Sequence, residues 1–128
     1  RLDGSGGAVA QVDGHNIAVG VIHRSDDRAP EALRRHPDRF VAVRTVDPNM
    51  GMDMVRLIQS DFDAGLIKGV SFFPSGQNPP VPINDKLAYP IYAKCVELDL
   101  PIFINVGFPG PLIPMKPQWV DHLDEVAY

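Results

Sequence analysis

Residues 40–46, Phe40-Val41-Ala42-Val43-Arg44-Thr45-Val46, run directly into Asp47-Pro48-Asn49. The first seven are apolar or β-branched at nearly every position, the pattern of a strand buried on both faces rather than one. Asp-Pro-Asn closes the strand, since each of these residues favours a turn for its own backbone reason. From Asp53 to Ala64 the period changes: Val55, Ile58 and Phe62 recur at helical spacing, and Gly65 is placed to cap the helix C-terminus. Gly69-Val70-Ser71-Phe72-Phe73 then reads as a second strand. A strand, a helix and a strand with short connections make a βαβ unit, which requires the two strands to be parallel.

The same rhythm extends in both directions. Upstream, Ile17-Ala18-Val19-Gly20-Val21-Ile22 is another apolar run, followed by capping residues Ser25-Asp26-Asp27, Pro30, and a short helix from Glu31 to Arg35. His36-Pro37-Asp38 ends that helix, because a residue before proline is driven out of the α region. Residues 1–16 are polar and glycine-rich and read as coil. Downstream, Tyr89 to Leu98 carries Ile91, Cys95 and Leu98 on one face, and Ile102-Phe103-Ile104-Asn105-Val106 forms the next strand. A last helix is expected to begin near Gln118. Four strands with a helix in each gap are about half of a (β/α)₈ barrel, which needs roughly 250 residues. The alternative is an open, doubly wound parallel sheet. In both folds the site lies at strand C-terminal ends, where residues 74–86 and 107–117 form long Pro- and Gly-rich loops.

Composition narrows the class of partner. A net charge of −4 provides no basic surface to neutralise phosphates, which argues against nucleic acid. The longest apolar runs are far too short to cross a bilayer, so no membrane partner is expected. One cysteine, Cys95, allows no internal disulfide, which fits a reducing, cytoplasmic setting. The chain opens without Met and stops at Tyr128 within an amphipathic stretch, so residues 1–128 are expected to be one domain or an interior fragment of a larger barrel domain. A half barrel leaves strand edges open, so a homo-oligomer or the remainder of the barrel is the expected neighbour, beside a small-molecule substrate.

Several segments together carry a resemblance. Arg34-Arg35-His36-Pro37-Asp38-Arg39-Phe40-Val41 with Thr45-Val46-Asp47-Pro48 resembles a passage of the amidohydrolase-related family. Leu66-Ile67-Lys68-Gly69-Val70 with Phe73-Pro74 is similar to that family's next strand. Tyr89 to Leu98 followed by Leu100-Pro101-Ile102-Phe103-Ile104-Asn105-Val106-Gly107 resembles its helix-strand passage thereafter. The resemblance implies a metal-dependent enzyme, hydrolysing or decarboxylating a small organic acid or amide, with a divalent ion, zinc first among them. It also exposes departures. The family's His-x-His pair is absent, Asn105 stands where the family has a metal-binding His, Ser71 replaces a Lys, and Phe73 replaces a His found in some members. By these departures no metal ligand is identified in this stretch and the fragment alone is expected to bind none, because an Asn carbonyl replaces imidazole poorly on zinc. A barrel that has lost catalysis and serves as a binding or assembly subunit is the alternative reading.

The candidate site residues are those at strand C-terminal ends. His23 and Asn105 are candidates for catalysis: His23 follows the first strand, where an imidazole can act as a base, against the plainer reading of a surface loop. Asn105 ends an apolar strand with a polar side chain, against the plainer reading of a hydrogen bond that fixes the next loop. Arg44, Ser71, Phe73, Ser75 and Phe108 are candidates for substrate contact. Arg44 is a charge within an apolar strand and needs a counter-charge, either a substrate carboxylate or an internal partner such as Asp47. Ser71 either faces the barrel mouth or fills a tight layer. Ser75, with Gln77 and Asn78, either lines a pocket or serves the turn, and Phe108 in Gly107-Phe108-Pro109-Gly110-Pro111 either walls a pocket or belongs to a structural loop. Cys95 reads as inert packing.

Overall fold

A computed structural model describes residues 20–23 and 29–127. The elements alternate: β1 (Gly20–His23), α1 (Ala29–Arg35), β2 (Phe40–Val46), α2 (Met52–Asp63), β3 (Gly69–Phe72), α3 (Tyr89–Glu97) and β4 (Ile102–Ile104). Short 3₁₀ turns occupy Pro48–Met50, Pro74–Gly76, Lys116–Gln118 and Val120–Leu123. The four strands form one parallel sheet in the order β1-β2-β3-β4. That order separates the two folds left open by the sequence. A doubly wound sheet reverses direction at a switch point, whereas a barrel adds each strand beside the last. Since βαβ crossovers are right-handed almost without exception, unidirectional addition stacks the helices on a single face. The fold is α/β with parallel β/α units wound in the barrel sense.

The helix-side layer holds the core. Val46, Ile58, Val70, Phe72, Ile91 and Cys95 are buried together between the sheet and helices α2 and α3, which also pack on one another. Burying side chains of this size contributes roughly 1.5–3 kcal/mol each. Alternation along a strand then assigns the faces: Val70 and Phe72 point to the helices, so Gly69 and Ser71 belong to the opposite, inner face. Gly69 is required there, because a Cβ would stand 2.9 Å from the Pro101 carbonyl oxygen and 3.3 Å from the Phe103 ring of β4.

Both described αβ connections after long helices use one device. After α2, the Leu66 N–H reaches the Asp61 carbonyl and the Gly65 N–H reaches that of Phe62, both at 2.9 Å, with Gly65 at φ +67°. After α3, Leu100 N–H reaches Cys95 (2.9 Å) and Asp99 N–H reaches Val96 (3.2 Å), with Asp99 at φ +52°. These are Schellman closures, which satisfy the last helical carbonyls through a left-handed residue.

At the two ends of the described chain the elements differ from the sequence reading. β1 includes His23, while residues 17–19 lie outside the described residues. The helix expected near Gln118 is replaced by two 3₁₀ turns separated by Trp119, whose ψ of 135° is extended. The extended backbone at Trp119 interrupts the helix, and the Gln118 side chain bonds across to other loops.

Candidate active-site face at the strand C-terminal ends

Register brings the inner-face positions of adjacent strands side by side. Thr45 of β2 lies opposite Ser71 of β3, and Ser71 lies opposite Phe103 of β4. One pleat further on, the Asn105 N–H donates to the Phe72 carbonyl at 3.0 Å and prolongs the β3–β4 ladder past the end of β4. Asn105 therefore shares the parity of Phe103 and stands on the inner face at the C-terminal edge, where its side chain is exposed. Ser71, one step behind, is buried. An amide and a hydroxyl at this edge offer donors and acceptors but no charge.

Arg44 lies elsewhere. It has the parity of Val46, a core residue, and its Nε and one terminal nitrogen each lie 2.5 Å from Asp61 Oδ2 on α2. Both side chains are nearly buried, so the guanidinium is held in the helix layer and faces away from Ser71 and Asn105. Asp61 is thus a counter-charge for Arg44 inside the protein, on a helix rather than in the turn that holds Asp47. Asp47 instead caps the turn after β2, accepting from the Asn49 N–H at 2.9 Å.

The loop after β3 is folded tightly on itself. Phe73 is half-buried, and its ring covers Gly76 so closely that a Cβ there would collide with it. Gln77 Nε2 donates to the carbonyls of Phe73 (2.9 Å) and Val46 (3.3 Å), tying the loop to the end of β2. Val81 and Ile83 then plunge into the interior as apolar anchors. Ser75 is buried, and its hydroxyl has no hydrogen-bond partner among the described residues. Its N–H faces Gln118 Oε1 at 3.4 Å, while Gln118 Nε2 donates to the Gly107 carbonyl at 3.0 Å. Gln118, 1% exposed, carried no distinguishing sign in the sequence, since a lone glutamine between Pro117 and Trp119 looks like any loop residue. Phe108, at 83% exposure, stands out from this edge without packing on it. His23 closes β1 with its backbone opposite Val43; its side chain lies outside the described residues.

An open groove of about 660 Å³ runs along α2, lined by Arg56, Gln59, Asp63 and Lys94. It is lined by residues of the helix layer, and Lys94 is already engaged by Gln59 (3.1 Å) and Glu97 (2.6 Å).

The amidohydrolase family model matches residues 3–127. This chain belongs to the amidohydrolase family. No curated protein and no solved structure matches it. The barrel winding of the β/α units agrees with this assignment. Amidohydrolases typically use a divalent metal. Among the described residues no three His, Cys, Asp or Glu side chains come together. Asn105 supplies one carbonyl oxygen at the strand ends, and a hard cation needs several. The described residues of this family member thus do not make up a metal centre by themselves. No helix among them is long and apolar enough to cross a membrane.

Proposed function

We propose that the inner-face edge formed by β3, β4 and their following loops is part of the substrate pocket of a hydrolase for a small organic acid or amide, with the metal held by other residues. Family membership supports the reaction class, and the position of Asn105 carries the reading. An exposed amide at a parallel-strand C-terminus, on the inner face, stands where barrel enzymes bind substrate. Its NH₂ donates to a carboxylate or carbonyl oxygen and orients it, and Ser71 sets the depth of the pocket behind it. Phe73 and the Ser75 loop form the adjoining wall. Metal assistance would supply the activated water that hydrolysis of a C–N bond requires.

The test is metal analysis of the full-length protein together with turnover of a panel of small carboxylates and amides. Turnover that chelation abolishes is expected, and Asn105→Ala should lower kcat/KM by about ten- to a hundredfold. A metal-free protein with no turnover would sink the proposal. The resemblance favours a second reading, a barrel that binds without catalysis, because by it Asn105 stands where the family has a metal-binding His. Tight binding of a small organic acid by a protein with no activity would decide for it.

A further inference from the structure

We infer that Gln118 is a positioning residue, a buried clasp that holds the β3 and β4 exit loops at a fixed spacing and thereby sets the place of Asn105. This rests on the reading of that edge as the substrate pocket. The side-chain amide bridges the two loops, with Oε1 toward the Ser75 N–H and Nε2 toward the Gly107 carbonyl. Its backbone adds to the tie, because the Gly107 N–H donates to the Gln118 carbonyl at 2.8 Å. Gly107 is thus held through both its N–H and its carbonyl, two residues beyond Asn105, at a φ of +81° that a side chain would strain. Next to it, the Pro117 carbonyl accepts from the Ile83 N–H at 3.0 Å, which fixes the far arm of the β3 loop to the same segment. A glutamine 99% removed from solvent loses far more than it gains unless its amide is bonded on both sides. Only a residue with one donor and one acceptor at opposite corners of a planar group meets both loops at once.

The test compares full-length wild type with Gln118→Met, which keeps the volume and removes both side-chain bonds. Amide exchange at Ser75 and Gly107 is expected to speed up about tenfold while Val70 to Phe72 stay protected. For a substrate that the wild type hydrolyses, KM is expected to rise about tenfold with kcat changed less than twofold. Unchanged exchange, or faster exchange through the whole sheet, would overturn the clasp. Local loosening with an unchanged KM would overturn its role in positioning. A wild type that hydrolyses nothing rejects the hydrolase reading instead, and the clasp is then judged on exchange alone.

Discussion

Arg44 and Asp61 form a nearly buried ion pair between a strand and the helix behind it. Desolvation offsets much of the attraction within such a pair, so its net worth is small, but breaking it leaves one charge stranded in the interior. Asp61→Leu is expected to cost about 3–5 kcal/mol in denaturant unfolding, and Arg44→Met combined with Asp61→Leu should cost clearly less. A double-variant loss equal to the sum of the two single losses would show that the pair is not coupled. A second residue-level effect is alkaline. Burial pushes the Cys95 thiol up from 9.0 to about 11, and burial, then Tyr89 and Cys95, push the Tyr92 hydroxyl well above 10.0. Tyr92 also donates to the Ile83 carbonyl at 2.6 Å, a bond that only the neutral hydroxyl can make. Both groups have folded pKa values above their unfolded ones. Their contribution is therefore complete below about pH 9 and is lost as pH rises through about 11 for Cys95 and beyond for Tyr92. A urea midpoint that falls from pH 9 to 11, and falls less in Cys95→Ala and Tyr92→Phe, is the expected result. The side on which Arg44 sits was within reach of the sequence, by counting parity from Val46. Its partner was not, because Asp61 is 17 positions away and takes the place on the buried face of α2 that the apolar spacing assigns to Phe62.

At the scale of elements, the two Schellman closures differ in one residue. Gly65 adopts its left-handed conformation freely, while Asp99 at φ +52° pays a steric cost for its Cβ. Asp99→Gly is expected to stabilise the protein by about 0.5–1 kcal/mol, and Gly65→Ala to destabilise it by a similar amount, both read as shifts in thermal midpoint. The elements themselves were largely legible. β2 coincides with its apolar run, β3 ends one residue before its own, and α2 and α3 keep their expected bounds to within a residue or so, although Phe62, expected on the buried face of α2, is exposed. β4 is shorter than its apolar run, ending at Ile104, since Val106 is left half-exposed with no ladder to join. The segment after it was misread as helical because Val120, Leu123 and Val126 mimic helical spacing. The extended backbone at Trp119 and the cross-loop bonds of Gln118 override that local pattern.

For the whole molecule, the strand order is the property that settled the architecture, and it is not written in any single segment. Apolar runs establish parallel pairing, but both candidate windings share them; only the spatial sequence of neighbours tells them apart. Beyond the polar groups of the inner face, β4 and the loop after it present apolar side chains to solvent, with Phe103 half-exposed and Phe108 and Leu112 almost fully so. Phe108→Ser with Leu112→Ser is expected to reduce binding of a hydrophobic dye while leaving the thermal midpoint within a few degrees, because neither side chain is buried. A large drop in midpoint would show that the loop packs more than its exposure indicates. Cys95 adds a different kind of consequence. It is the chain's single thiol, sealed between α3 and the sheet with its proton held tightly. A thiol reagent can reach it only when helix and sheet part, so the rate of labelling serves as a clock that counts those separations, built into the protein with no probe to be added.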